Sequence, residues 1–448
     1  MAASPPGSSE TKESLRRSKP ALALVQTFYT GDALTESYRI LMVAPTSFFL
    51  DYGCHVRILE ETRALQRLGH QVTIITYYLG RDLTDLDIIR TRPTPWRSDY
   101  EVGSSLHKIA FDGFLAWTGI KTVLGRQFDL VHGHLHEGTL IGYLLSRLKR
   151  VPLVADFQGS MTSEMVDHHF LNPEGPWHRW ARLLEGRIAR LPDAIVASTR
   201  MTALLLEQDF ECARNCVYTL PDCVSLDFFH PRPVNERALV QRRADLGIPD
   251  DRPIIAYLGL LADYQGTPHL LRAAHHLRER GTPFHLLVMG FPSVEHYRRM
   301  ARGLGVEDCV TFTGKVPYEE APAHLALGDI AVAPKLSTTE GAGKILNYMA
   351  MELPTVAFDT PISREYLGAL GTYAAPVGDA EALARALAGL LEMPQGERQD
   401  LGRRLRQRAS RDFSWEESGD RLLDIYRTVI NKWSMARPSA CGGPWGDA

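Results

Sequence analysis

The feature that most constrains the fold of this chain is a repeated alternation of short β-branched runs with stretches of helical periodicity. In the first half, the predicted strands lie at 39–43, 71–76, 130–132, 152–157 and 194–198. The rhythm restarts near Pro253, with predicted strands at 254–258, 284–289, 310–312, 330–333 and 355–358. Strand–helix–strand repetition places successive strands parallel in one sheet. The sequence therefore predicts an α/β protein with two Rossmann-like, doubly wound parallel-sheet lobes.

The length of the chain supports two domains rather than one. At 448 residues it exceeds the size of one ordinary core. The run at 231–253 is charged and bounded by prolines, which is typical of an interdomain linker. In chain order we predict a disordered tail (1–37), an N-terminal lobe (38–230), a linker (231–252) and a C-terminal lobe (253–412). A last helix (413–434) and a second disordered tail (435–448) follow.

Composition narrows the class of protein and its partners. Hydrophobic residues make up 44% and charged residues 23%, as in soluble globular proteins. The formal net charge of −3 gives no global attraction to nucleic acid, so no nucleic-acid partner is expected. We find no apolar run long enough to span a membrane. The stretch 109–128 is compatible with lying on an anionic membrane surface or with an ordinary core helix, which we favour.

Cysteine usage bears on the compartment. The six cysteines are few for this length, and residues 1–18 lack the apolar segment of a signal peptide. We therefore expect a reducing, cytoplasmic setting with free thiols, with the inner face of the membrane as a further location. Cys212, Cys216 and Cys223 cluster, but their spacing does not match the paired knuckles of structural zinc.

The strongest local signal for a ligand site is the Gly-rich stretch at 339–350. Glu340 precedes Gly341 and Gly343, and a helical pattern opens at Lys344. Bare backbone N–H groups at a helix N-terminus favour an anion, and the lysine adds a cation. Ligands of parallel sheets bind at the carboxyl ends of the strands. With two such lobes, the cleft between them is the predicted site.

Further motifs occur in a fixed order along nearly the whole ordered chain, at 52–56, 69–72, 128–134, 221–227, 313–317 and 413–416. Together with the Gly-rich stretch, they resemble those of the retaining GT-B glycosyltransferases of family four, the large nucleotide-sugar-dependent group. The resemblance runs from about Arg39 to Val429. It implies a GT-B fold, in which the two lobes face a central cleft and the last helix crosses back to the first lobe.

The resemblance also implies an activity. Such a protein transfers a sugar from a nucleotide-diphosphate sugar to an acceptor hydroxyl, with retention and without a metal or a cofactor. The second lobe would bind the nucleotide sugar. The first lobe would bind the acceptor, which is a carbohydrate, a lipid or a small molecule, with peripheral membrane contact as a further option.

The family pattern has a Glu, then seven residues, then a second Glu. This pattern assigns the residues of the Gly-rich stretch. Glu340 matches the first Glu, which typically touches the donor sugar. Asn347 takes the place of the second, ribose-binding Glu by register, whereas strict counting picks Tyr348. By resemblance we expect the donor to contact Gly341, Ala342, Gly343, Lys344, Asn347, Gly259, Gln265, Gly314, Lys315 and Val316.

On the first lobe, Gln158 stands where many members place a His near the sugar, so we pair it with Glu340 as catalytic. We assign Gly53, His134 and Asp156 to the acceptor side, with capping of the next helix as the alternative for Asp156. A group with metal-binding residue types is formed by His132, His134, His136 and Glu137. The resemblance explains this group as the end of a strand, so no metal is expected there. The Asp-x-Asp at 85–87 is discounted because it stands among polar loop residues.

Two departures from the family pattern concern the donor diphosphate. Leu260 occupies the usual Arg position and Gln265 the usual Lys position. Transfer of a sugar from a diphosphate needs positive charge to stabilise the leaving group, so Lys344 and Lys335 become the candidate cations. We expect Lys335 to lie on a loop that reaches solvent. The alternatives are a catalytically weak or dead transferase-like scaffold and a transferase with an unusual donor.

Overall fold

A computed structural model describes most of the chain. The described residues are 37–51, 53–93, 106–168, 170–231 and 236–435. The two predicted tails lie outside them except for Ser37 and Met435, and so do Tyr52 of the first predicted motif and Cys441. The other five cysteines are free thiols. Among the described helices, none is both long and apolar enough to cross a bilayer.

The strands form two fully parallel sheets. The first has the order β3-β2-β1-β4-β5-β6-β7 and comprises β1 (Arg39–Ala44), β2 (Gln71–Thr76), β3 (Asp87–Arg90), β4 (Leu130–His134), β5 (Leu153–Phe157), β6 (Ala194–Ala197) and β7 (Val217–Thr219). The second has the order β10-β9-β8-β11-β12-β13 and comprises β8 (Ile254–Leu258), β9 (His285–Met289), β10 (Val310–Gly314), β11 (Ile330–Ala333), β12 (Thr355–Phe358) and β13 (Thr372–Ala374). The predicted α/β class with two parallel-sheet lobes is confirmed.

Helices connect the strands in both lobes. Those before the second sheet are α1 (Gly53–Arg67), α2 (Leu106–Gly125), α3 (Leu135–Lys149), α4 (Met161–Asp167), α5 (Pro176–Ala189), α6 (Arg200–Gln208) and α7 (Glu236–Asp245). The others are α8 (Thr267–Glu279), α9 (Val294–Gly303), α10 (Ala321–Leu325), α11 (Lys344–Ala350), α12 (Pro361–Leu367), α13 (Ala380–Glu392), α14 (Gln395–Asp412) and α15 (Trp415–Met435).

Three strands were not predicted, and all three lie at sheet edges. They are β3, β7 and β13, which span three or four residues each and are mostly half-exposed. A short strand with one open side shows little hydrophobic signal, whereas central strands such as β4 and β5 are buried throughout. The predicted linker contains α7, a polar helix with no buried residue.

Residues of the two lobes pack together in one hydrophobic core. One core cluster combines β1 residues of the first lobe, β8 and α11 residues of the second, and residues of α15. The last helix, α15, packs against α1 of the first lobe. Residues that directly follow strands of the two sheets, such as Gln158 after β5 and Gly259 after β8, line one cleft.

The helix α2 covers much of the stretch 109–128 and has two different sides. Phe111, Leu115 and Val123 are buried in a core cluster with β1 and β2 residues, as an ordinary core helix requires. On its other side, Trp117 and Leu124 are exposed. The core interpretation therefore accounts for one side of the helix only.

Candidate functional site

A cavity of about 320 Å³ lies between the lobes. Its first-lobe wall includes Gly53, Arg57, His136, Glu137, Gln158, Glu164 and His168, and its second-lobe wall includes Gly259, Leu260, Gln265, Val316, Lys335, Glu340, Gly341, Ala342, Gly343, Lys344 and Asn347. Nearly all of the residues predicted for the donor side thus line one cavity. The exceptions are Gly314 and Lys315.

Glu340 is held by an ion pair. Its Oε2 lies 2.7 Å from Nζ of Lys335, which also donates to the carbonyl of Gly341 at 2.8 Å. Burial opposes ionisation of Glu340, but Lys335 and His168 hold the pKa of its carboxyl below the usual value. The expectation that Lys335 reaches solvent is wrong, since its side chain is buried in this pair. Glu340 is therefore a fixed, ionised carboxylate on the cavity wall.

Lys344 is the second cation of this wall. Its Nζ donates to Oε1 of Gln265 at 2.9 Å and to the hydroxyl of Tyr257 at 3.3 Å. Burial, followed by repulsion from Lys335, lowers the pKa of Lys344 to about 7. Gly259 permits this position, because it has a φ of +149° and a Cβ there would lie 2.7 Å from Nζ. Gln265 therefore holds the ammonium by its amide oxygen.

The loop before α11 approaches the first lobe closely. A Cβ on Gly341 would lie 2.2 Å from Oδ2 of Asp222, so any larger residue at 341 would displace the Asp222 carboxylate. Ala342 is buried, and Asn347 faces the cavity. Tyr348 is fully buried, and its hydroxyl accepts from the backbone N–H of Leu258 at 2.8 Å. The alternatives at 347 and 348 thus occupy different environments, one on the cavity wall and one in the core.

The residues predicted at 314–316 divide between the cavity and its rim. Val316 lines the cavity, whereas Gly314 and Lys315 do not. Nζ of Lys315 lies 3.0 Å from Oδ2 of Asp51, in the loop after β1. Lys315 therefore ties the second lobe to the first beside the cavity.

On the first-lobe wall, the amide of Gln158 is positioned by buried charge. Its Nε2 donates to Oδ2 of Asp156 at 3.0 Å, and Asp156 accepts from the guanidinium of Arg57 at 2.8–3.1 Å. Although burial opposes it, Arg57 holds the pKa of Asp156 well below its usual range. Asp156 is fully buried, so it lies behind the cavity wall and orients Gln158.

His134 is also placed behind the wall rather than facing the cleft. It is fully buried on β4, and its Nδ1 lies 3.2 Å from Oδ2 of Asp156. Gly53, by contrast, lines the cavity at the start of α1, and a Cβ there would meet no protein atom within 4 Å. Of the three residues predicted for the acceptor side, only Gly53 is on the cavity surface.

Among the residues that the structure describes, two groups of side chains have the atom types and spacing of metal ligands. One is Glu61, His132 and His134, all buried, and the other is Glu164, His168 and Glu340. A cation of the protein already accompanies each group, since Arg57 lies 3.2 Å from Glu61 and Lys335 lies 2.7 Å from Glu340. Burial, together with repulsion from Asp156, raises the pKa of Glu61 well above its usual value.

Sequence reasoning missed several residues of the cavity. Arg57 lies on the buried side of α1 beside the apolar residues Ile58 and Leu59, and a charged residue within such a stripe is the signal that could have identified it. Glu164 lies in the first turn of α4, after the cap residue Ser160. Burial and repulsion from Glu340 raise the pKa of Glu164 to about 7. Asp222 belonged to a recognised motif but was not singled out.

Comparison with known proteins gives the family. The family model described as "Glycosyl transferase 4-like domain" matches residues 52–221, and the one described as "Glycosyl transferases group 1" matches residues 241–408. The chain is a group 1 glycosyltransferase. The two matches fall on the two lobes, one on each side of the cavity, so this glycosyltransferase has the two-lobe GT-B fold.

Named relatives agree with this assignment. The glycosyltransferase is 25% identical over 407 residues to the D-inositol 3-phosphate glycosyltransferase of Corynebacterium glutamicum. The aligned region covers 84% of this chain and 92% of the relative. It is 28% identical over 310 residues to the alpha-D-kanosaminyltransferase of Streptomyces kanamyceticus, with 67% and 77% covered.

Solved structures share the fold of the glycosyltransferase. A sucrose-phosphate synthase from Thermosynechococcus elongatus superposes with a TM-score of 0.73 at 18% identity, over 88% of this chain and all of that one. Anabaena HepE, solved in complex with UDP and glucose, superposes with a TM-score of 0.67 at 14% identity, over 89% and 99% of the two chains.

Proposed function

We propose that the glycosyltransferase transfers a sugar from a nucleotide-diphosphate sugar to an acceptor hydroxyl, with retention and without a metal. The observation that carries this proposal is the second-lobe wall of the cavity. It presents an ionised carboxylate, Glu340, beside two lysines, Lys335 and Lys344. A sugar diphosphate has matching chemistry, since its hydroxyls donate to a carboxylate and its phosphates attract ammonium groups.

Glu340 is the proposed ligand of the donor sugar. Because Lys335 keeps it ionised and fixed, it accepts hydrogen bonds from sugar hydroxyls with little loss of side-chain freedom. HepE solved in complex with UDP-glucose and a starch synthase IV of Arabidopsis thaliana bound to ADP and acarbose share the fold. Their nucleotides support a nucleotide-linked donor for this chain.

Lys344 is the proposed ligand of the diphosphate. Negative charge develops on the diphosphate as the glycosidic bond breaks, and a preorganised cation in a closed cavity stabilises it. The ammonium is held by Gln265, the residue at the position where family members carry Lys. No side-chain nucleophile is required, because the leaving phosphate oxygen can accept the acceptor's proton on the same face of the sugar.

The test uses Glu340→Gln. The first step is to find the donor by measuring the release of nucleotide diphosphate from a panel of nucleotide sugars. Loss of a buried charged hydrogen bond costs about 1.5–3 kcal/mol, so turnover should fall roughly ten- to hundredfold. Affinity for the nucleotide diphosphate alone should stay nearly constant. Glu295→Gln, at an exposed carboxylate of the same lobe, is the control. Unchanged turnover of Glu340→Gln would remove this residue from the site.

Metal independence has its own test. Turnover with the same donor is measured before and after dialysis against EDTA, and it should be unchanged because Lys335 and Lys344 supply the positive charge. A loss of turnover that Mg²⁺ or Mn²⁺ restores would show that a metal stabilises the leaving group instead.

A further inference from the structure

The first lobe exposes an unusual amount of apolar surface on three neighbouring helices. The central one, α3, packs against both α2 and α5. Along α3, Leu140, Leu144 and Leu148 recur every four residues and are each about half-exposed, while Ile141 and Leu145 on the other side are buried. Single exposed leucines are ordinary. A row of them on one helix face is an unpartnered apolar stripe.

The stripe continues onto α5, where the exposed side chains are larger. Trp177 is 72% exposed and Trp180 63% exposed, and they are accompanied by Leu183 and Leu184. Spacings of three and four residues place Trp177, Trp180 and Leu184 on one side of the helix. Tryptophan combines a large apolar ring with an indole N–H donor, so it is enriched at interfaces with one apolar and one wet side.

On the other side of α3, the helix α2 adds Ile109, Trp117 and Leu124, all exposed. We call the exposed apolar side chains of α2, α3 and α5 the apolar face. Elsewhere among the described residues, large exposed apolar side chains are scattered, at Phe170, Val240, Val377 and Met435. The apolar face is therefore a local concentration, which in soluble proteins marks an interaction site.

The exposed charges on these helices have one sign. The exposed charged side chains described on α2, α3 and α5 are Lys121, Arg147, Arg179 and Arg187. Arg126, Arg150 and Arg190 directly follow the three helices, and one exposed carboxylate, Glu174, precedes α5. Within the described parts of these helices, each carboxylate is hydrogen-bonded, ion-paired or buried. Asp112 bonds the hydroxyl of Tyr77, Glu137 pairs with Lys108, and Glu185 is buried. The face is thus basic, although the whole chain has a net charge of −3.

We propose that the apolar face binds the surface of an anionic lipid bilayer, with α2, α3 and α5 lying in the interface. Apolar side chains enter the acyl boundary, tryptophans occupy the headgroup level and basic residues attract anionic headgroups. A second copy of the chain fits less well. A symmetric interface would bring the arginines of one face against those of the other.

The apolar face is built on the same helices as part of the cavity. Lys108 of α2 and His136 at the start of α3 line the cavity, and α4, which packs against α5, contributes Glu164. A bilayer on this face therefore lies against the helices that form the first-lobe wall. The inference concerns the surface only and does not depend on the donor or on the reaction.

Vesicle flotation tests the proposal on the full chain. The protein should float with vesicles of equal parts phosphatidylcholine and phosphatidylglycerol and bind much less to phosphatidylcholine alone. Added salt should weaken the binding, because surface charges are screened. Binding that is equal for both vesicle types, or absent from both, would contradict the proposal.

Matched variants locate the contact. Trp177→Ser with Trp180→Ser should reduce the partition onto mixed vesicles at least ~10-fold, which corresponds to about 1.4 kcal/mol. Val240→Ser with Val377→Ser replaces exposed apolar residues elsewhere and should bind like the parent. Circular dichroism and the Tm check that both variants fold. Equal binding by the two variants would overturn the proposal.

Light scattering after gel filtration tests the alternative that a second copy of the chain covers the apolar face. Without vesicles, the parent and the double tryptophan variant should have the same mass. A parent dimer that becomes a monomer in this variant, together with absent vesicle binding, would show that the apolar face joins two copies of the chain and that the membrane proposal is wrong.

Discussion

At the scale of single residues, the cavity holds an ammonium beside Gln265, since Nζ of Lys344 lies 2.9 Å from its Oε1. By the resemblance, Gln265 is the position at which the family pattern has a Lys. The side chain of Lys344 reaches this place because Gly259 has no Cβ in its path. A substitution that looks like the loss of a charge in the sequence is thus offset by a residue 79 positions away.

A charge swap tests this arrangement. Lys344→Gln should weaken nucleotide diphosphate binding by about 1.5–3 kcal/mol, roughly ten- to hundredfold in Kd. Adding Gln265→Lys to it should restore most of the affinity, because an ammonium returns to nearly the same place. Gln265→Lys alone should gain little, since two ammonium groups would then repel. Calorimetric titration measures all three, with Lys432→Gln on the exposed side of α15 as the control.

The same lysine predicts a pH dependence. Burial lowers the pKa of Lys344 to about 7, so its charge is complete below that pH and is lost above it. Nucleotide diphosphate binding should therefore weaken as the pH rises past 7, by up to ~10-fold per unit. Lys344→Arg keeps its charge and should flatten the profile. Equal profiles for the parent and the Arg variant would show that Lys344 does not contact the diphosphate.

At the scale of elements, α1 connects the cavity to the core of the first lobe. Its Arg57 donates to Asp156 on β5 and to Asp222 in the loop after β7, at 2.8 Å and 3.1 Å. It also donates to the carbonyl of Leu220 at 3.1 Å. One buried guanidinium thus fixes the segments that carry Gln158 and Asp222 on the cavity wall.

Two arginines of α1 offer a matched comparison. Arg57→Ala leaves Asp156 buried without its partner and should lower the free energy of unfolding by about 3–5 kcal/mol. Arg63→Ala removes an exposed pair with Asp85 at 2.9 Å, which should cost at most ~1 kcal/mol. Thermal unfolding of the two variants measures the difference. Similar Tm values would mean that the network around Arg57 relaxes without cost.

At the scale of the whole molecule, the two lobes are joined by α15. This helix follows α14 of the second lobe and packs against α1 of the first, with Leu422 and Tyr426 in the shared core. Gly419 lies at this contact, where a Cβ would come within 3.0 Å of Cβ of Ala64. A methyl group at position 419 would therefore crowd Ala64 at the contact between α15 and α1.

Two helical glycines test this contact. Gly389→Ala on α13 meets no atom within 4 Å and should stabilise the protein by up to ~1 kcal/mol through helix propensity. Gly419→Ala has the same propensity gain but crowds Ala64, so its Tm should lie below that of Gly389→Ala. If both variants gain equally, α15 and α1 are not tightly packed at this point.

The sequence by itself determined the elements that have strong local signals. Buried central strands, the helices between them and the Gly-rich loop at 339–350 were predictable, because hydrophobic period and glycine position act within a few residues. The edge strands β3, β7 and β13 were not, since they are mostly half-exposed and carry little hydrophobic signal. For the site, the order of motifs indicated the cleft and placed Glu340 and Asn347.

Only the tertiary structure decided which charges meet. The pairing of Lys335 with Glu340 and the contact of Lys344 with Gln265 depend on segments brought together by the fold. His134 has the residue type of a site residue but lies behind the wall, because β4 is central in its sheet and buried throughout. Ionic and hydrogen-bond partners are set by distances in space, which the local pattern of a sequence does not contain.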